Sequence, residues 1–102
     1  MKITVTDKHI DEGEAGLFSC PIALATQDSL AIPFRQDKVE VSSFGYVYIY
    51  DHQDNPTRYQ KYELPEVAID FVDSFDSYIY SNATGNKFPR PKPLEFEMEL
   101  IR

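Results

Sequence analysis

The stretch Gly45-Tyr46-Val47-Tyr48-Ile49-Tyr50-Asp51 decides how this chain folds. Tyr46, Tyr48 and Tyr50 fall on one side of an extended backbone, and Val47 and Ile49 on the other. Period-two alternation of aromatic and β-branched residues is a strand signal. Since neither face is polar, the stretch predicts a central strand with something covering each side.

The flanking sequence supplies neighbours for it. Lys38-Val39-Glu40-Val41-Ser42 alternates again, with Val39 and Val41 inward, and Ser42-Ser43-Phe44-Gly45 carries turn chemistry. Asp51-His52-Gln53-Asp54-Asn55-Pro56-Thr57 is dense in turn formers and leads to Arg58-Tyr59-Gln60-Lys61-Tyr62-Glu63-Leu64, which predicts a hairpin with a loop of about six residues. That loop lacks the spaced acidic ladder, central glycine and distal glutamate of a calcium site, so it reads as a solvated turn. Residues 2–6 predict a first strand with Ile3 and Val5 inward. Leu94-Glu95-Phe96-Glu97-Met98-Glu99-Leu100 is the strictest alternation, an apolar face backed by three glutamates. The run Leu30-Ala31-Ile32-Pro33-Phe34 reads as an edge strand or an extended connection.

Helical periodicity is confined to fewer segments. Thr6-Asp7 offers an N-cap for a turn of helix through Ile10, which Gly13 stops. Pro21 suits the first turn of a short helix over about 21–28, with Cys20 at its start. Ala68, Phe71, Val72 and Phe75 lie at i, i+3, i+4 and i+7 and predict a long amphipathic helix over about 65–76. Asp70, Asp73 and Asp76 then form its wet side. Ser77-Tyr78-Ile79-Tyr80-Ser81 continues that helix or extends as an edge strand, and Asn82 to Pro93 reads as a loop. The fold class is α+β: a single domain over residues 1–102 with a small, mostly antiparallel sheet of about five strands and the 65–76 helix on one face. The tyrosine face must then be covered by the short helix, a second copy or a partner, since large aromatic patches seldom stay bare.

Charge narrows the function classes. Seventeen acids against ten bases give a formal charge of −7, which disfavours direct contact with nucleic acid or anionic membranes. No run reaches the roughly 18 apolar residues of a membrane helix. The N-terminus alternates where a signal peptide would be continuously apolar, so a cytoplasmic protein is expected. The single cysteine, Cys20, excludes an internal disulfide; it reads as a small buried hydrophobe or as a thiol activated at a helix N-terminus. His9 and His52 lie in unrelated segments, the glycines are isolated, and no nucleophile sits in a recognisable elbow. The expectation is a non-enzyme without cofactor or metal. Two candidate sites remain: Tyr46, Tyr48 and Tyr50 as a partner-binding face, and Lys87, Arg90 and Lys92 as a cationic loop for an anionic ligand.

Ile3-Thr4-Val5-Thr6, His9-Ile10, Gly13 and Cys20-Pro21-Ile22-Ala23-Leu24-Ala25, with Leu64-Pro65, Phe71, Phe75-Asp76 and Pro93-Leu94-Glu95-Phe96, resemble a group of small uncharacterised proteins of tailed bacteriophages. In that group an I-x-V-T start leads to a C-P-[VI]-A-L-A segment and an F-D…P-x-x-F close. The resemblance implies a phage-type protein in the host cytoplasm. It would inhibit or sequester a host component, including a defence component, by protein–protein contact. Two alternatives stand beside it: an oligomeric sponge for a small nucleotide-like signal, with tyrosines on the base and Lys87, Arg90 and Lys92 on the phosphates, and a structural homodimer or virion component.

Overall fold

The computed structural model describes residues 1–30, 39–42, 44–52, 55–85 and 88–101. In chain order these form β1 (Lys2–Val5), α1 (Asp7–Glu12), α2 (Pro21–Ser29), β2 (Val39–Val41), β3 (Tyr46–His52), β4 (Asn55–Glu63), α3 (Glu66–Thr84), β5 (Leu94–Glu97) and β6 (Glu99–Ile101). The class is α+β, as the periodicities predict, and every strand pair is antiparallel.

The strands form two sheets rather than one. β1 pairs with β5, and β2-β3-β4-β6 form a four-stranded sheet with the tyrosine strand inside it. The expected single last strand is divided at Met98. Leu94–Glu97 pairs with β1, whereas Glu99–Ile101 pairs with β4. At the changeover Met98 N–H donates to Met1 O at 2.9 Å, and the Met1 amino group donates to Met98 O at 2.9 Å. The alternation of 94–100 is therefore kept while its partner changes. Phe96 and Met98 are buried, but Leu100 reaches only the exposed margin.

One apolar cluster joins the elements. It contains Ile3 and Val5 of β1, Ile22, Ala23 and Ala25 of α2, Val39, Val41 and Val47 of the larger sheet, and Ala68, Phe71 and Phe75 of α3. Ile49 and Val72 pack against it half-buried, so the inward face of the larger sheet and the α3 stripe share one core, as a helix on one face of the sheet requires. Burying each such side chain contributes roughly 1.5–3 kcal/mol. α2 is absorbed into this core, with Pro21 through Gln27 all buried, and so does not cover the tyrosine face.

Local chemistry sets the helix ends. Thr6 caps α1, its hydroxyl accepting from His9 N–H, and Gly13 ends it as expected. α3 runs to Thr84, well past Asp76, and ends on Gly85 at φ +84°. Tyr78 and Ile79 extend the stripe of Phe71 and Phe75 onto the core, which is why Ser77–Ser81 is helical and not an edge strand. The helix also takes in Asn82–Thr84, the start of the expected loop. The β3–β4 hairpin is tighter than expected. Its strands reach His52 and Asn55, which pair after a register shift beyond Tyr50. The possible strand at Leu30–Phe34 lies, beyond Leu30, outside the described residues.

Gly45 fixes how the larger sheet meets α3. It has φ +94°, its carbonyl accepts from Leu64 N–H at 2.9 Å, and an added Cβ would lie 2.8 Å from Ile69 Cδ1. An L side chain there meets both backbone strain and a packed neighbour. Gly45→Ala is expected to lower stability by on the order of 1–3 kcal/mol. Urea denaturation checks this, and an unchanged midpoint would show that the β2–β3 turn relaxes freely.

Candidate functional site

Pairing in the larger sheet places an ordered array on the face opposite the core. Residues directly across an antiparallel ladder share a face. Glu40, Tyr48, Lys61 and Ile101 therefore form one cross-strand row, Tyr46, Glu63 and Glu99 a second, and Tyr50 with Tyr59 a third. Tyr46, Tyr48 and Tyr50 are brought together as the alternation predicts.

These tyrosines cover one another. The Tyr48 and Tyr59 rings meet edge-on with centroids 5.3 Å apart, and Tyr50 and Tyr59 do so at 5.9 Å. Such edge-to-face pairs set the positive ring edge on the negative ring face. Lys61 Nζ lies 4.1 Å from the Tyr46 centroid and 5.7 Å from that of Tyr48, within cation–π range. Tyr50 OH donates to Glu40 Oε1 at 2.6 Å. Desolvation, then the hydrogen bond to Glu40, push the Tyr50 phenol up to about 12. The result is a half-buried aromatic layer: Tyr46, Tyr48 and Tyr50 keep intermediate exposure, and Tyr59 remains 49% exposed. At the Tyr46 end of β3, Phe44 is 85% exposed in the β2–β3 turn.

No family profile, curated protein or solved structure matches this chain.

The cationic loop is differently disposed. Arg90 is tied to α1, with Nη1 donating to Asp7 Oδ1 at 2.7 Å and Nη2 to Asp11 Oδ1 at 2.6 Å and to Asp7 O at 3.3 Å. Hydrogen bonds to Asp7 and then Asp11 raise its pKa further above the usual guanidinium range. Its fork is occupied by two carboxylates one helical turn apart. Lys92 is exposed, and Lys87 lies outside the described residues.

Three further groups bear on chemistry. Cys20 is the N-cap residue of α2 but is only 5% exposed. Burial pushes its thiol up to about 11, the reverse of the activation that an exposed helix N-terminus would give. Thr6, His9 and Asp28 line up a hydroxyl, an imidazole and a carboxylate. Nδ1 of His9 accepts Thr6 N–H at 2.9 Å, and Nε2 meets Asp28 Oδ2 at 2.5 Å. With Nδ1 already filled by a backbone donor, no base faces the Thr6 hydroxyl at 3.1 Å, and the arrangement functions as a helix cap. Asp70, Asp73 and Asp76 are exposed on α3; desolvation, then Asp73, raise the Asp76 pKa. Among the described residues, no group of three or more potential ligands could hold a metal ion, and no helix is long and apolar enough to cross a membrane.

Tyr59, Lys61, Glu40, Glu63, Glu99 and Phe44 belong to the surface although the alternation of residues 46–50 did not single them out. Tyr59, Lys61 and Glu63 do alternate in β4. What places them beside Tyr48 is the hairpin register, which lies in the pairing and not in either strand alone.

Two titrations check this geometry. Tyr50 should ionise near pH 12 when followed by NMR, and Glu40→Gln should lower that value without restoring it fully, because desolvation persists. Its folded pKa exceeds the ordinary 10.0, so the associated stabilisation is complete below about pH 10 and is lost as pH rises towards about 12. Cys20 should resist a disulfide reagent at neutral pH in the native protein and react once guanidinium unfolds it. Rapid labelling of the folded chain would contradict its burial.

Proposed function

We propose that this protein is a non-enzymatic binding protein that inhibits or sequesters a host component through protein–protein contact, with Tyr46, Tyr48 and Tyr50 at the centre of its docking surface. The resemblance to small phage proteins supplies the context, a bacterial host whose components, defence included, would be the target. The observation carrying the reading is the half-exposed tyrosine face that the described residues of the four-stranded sheet present. Among the described residues both longer helices contribute to the core on the opposite face, and the aromatic layer is rimmed by carboxylates. Rigid aromatic side chains with a polar rim are where interfaces concentrate their energy. Tyrosine suits the role in the free protein too, because its body shelters against neighbours while its hydroxyl stays wet.

The sponge reading has less support. Arg90 is held by Asp7 and Asp11. A cleft of about 270 Å³ is walled by Glu63, Glu97 and Glu99 with Leu64 and Pro65, which repels a phosphate. It is also smaller than the roughly 300–1,000 Å³ of typical small-molecule sites.

Tyr48→Ala tests the docking surface. Tyr48 should behave as an anchor whose loss costs about 2 kcal/mol or more of binding, roughly 30-fold, with little change in thermal midpoint. Capture from bacterial host extract, read by mass spectrometry, should lose a protein that the unmodified chain retains. An unchanged captured set, or a large fall in midpoint, would count against the proposal, the latter making Tyr48 a core residue.

A further inference from the structure

The charges around the tyrosine face specify a partner chemistry. Among the described residues of the three rows, Glu40, Glu63 and Glu99 stand against Lys61. Lys61 lies over Tyr46, and the Tyr50 hydroxyl holds Glu40. No ion pair joins Glu63 or Glu99 to a cation among the described residues. Beside these two the face drops into the cleft of about 270 Å³, where Glu97, which lies 3.6 Å from the Met1 amino group, adds a third carboxylate and Leu64 and Pro65 supply apolar wall. Carboxylates above an apolar wall match a long cationic side chain, whose stem packs while its head pairs. Tyrosine faces accept the same heads, as Lys61 does within the molecule.

Other occupants fit less well. A second copy seated by two-fold symmetry would set this acidic face against itself, in a chain already carrying −7. Nucleic acid or an acidic protein would meet the same repulsion. We infer that the partner docked on the Tyr46–Tyr48–Tyr50 face is a protein presenting an arginine- or lysine-rich segment, its cationic side chains seated against Glu63 and Glu99 and over the tyrosine rings. This rests on the reading of that face as the docking surface.

The test titrates the isotope-labelled full chain with short Arg-Gly, Glu-Gly and Ser-Gly repeat peptides, followed by NMR at two salt concentrations. The Arg-Gly peptide should shift Tyr46, Tyr48, Glu63 and Glu99, and its affinity should fall as salt rises. The paired reversal Glu63→Lys/Glu99→Lys should weaken binding about tenfold or more. Asp70→Lys/Asp73→Lys on α3, with the same change in net charge, should leave it nearly unchanged. Equal weakening by both pairs would reduce the effect to overall charge and overturn the inference, as would absent shifts or equal binding of the Ser-Gly peptide. Host-extract capture separates this from the underlying reading. If Tyr48→Ala abolishes capture and Glu63→Lys/Glu99→Lys does not, the tyrosine surface stands and the basic partner falls. If neither matters, the docking surface itself is wrong.

Discussion

The inward face of the larger sheet, Val39, Val41 and Val47, is the constraint on which the other parts depend. These side chains are almost wholly buried, and α2 and α3 both contribute to the cluster that buries them. A chain of this length has limited apolar material, and here it is gathered on one side. The opposite face must then be tolerable in water without cover. Tyrosine meets that condition where phenylalanine or leucine would not, since edge-on packing removes much of each ring from solvent while the hydroxyl remains hydrated. The aromatic surface follows from how the core is filled.

Two junctions hold this arrangement. At Met98 the last strand leaves the small sheet and enters the larger one, so one continuous segment braces both. At Gly45 the β2–β3 turn, the end of β4 and the first turns of α3 converge within contact distance. The first junction ties the chain ends to the sheet, and the second sets the distance between sheet and helix.

Much of this was legible in local pattern. The alternation at Tyr46–Tyr50, the Thr6 cap, Gly13, Pro21 and the stripe from Ala68 to Phe75 each specify structure within a few residues, and the structure follows them. The end of α3 was readable in principle: Tyr78 and Ile79 continue the stripe, and Gly85 is a C-terminal signal. Tyr78-Ile79-Tyr80 looks equally like a strand, however, and only packing against the core resolves a short apolar run. The division at Met98 and the rows joining Tyr46 to Glu63 and Glu99 were not readable, because they depend on which distant strands become neighbours. The cationic loop misleads for the same reason. Arg90 appears free in sequence, while its partners Asp7 and Asp11 lie at the other end of the chain.

That placement of cations explains the electrostatic character of the open surface. Lys2 sits 3.0 Å from Glu95 across β1 and β5, Arg90 bridges two carboxylates of α1, and Lys61 lies on tyrosine rings. Exposed pairs of this kind add little stability individually. Their larger effect is on distribution: Lys2, Lys61 and Arg90 are each held between elements or on rings. Among the described residues, Glu63 and Glu99 stand in no ion pair beside the aromatic layer. In an acidic chain, where the few bases go shapes where negative charge gathers, and Glu63 and Glu99 gather it next to the rings.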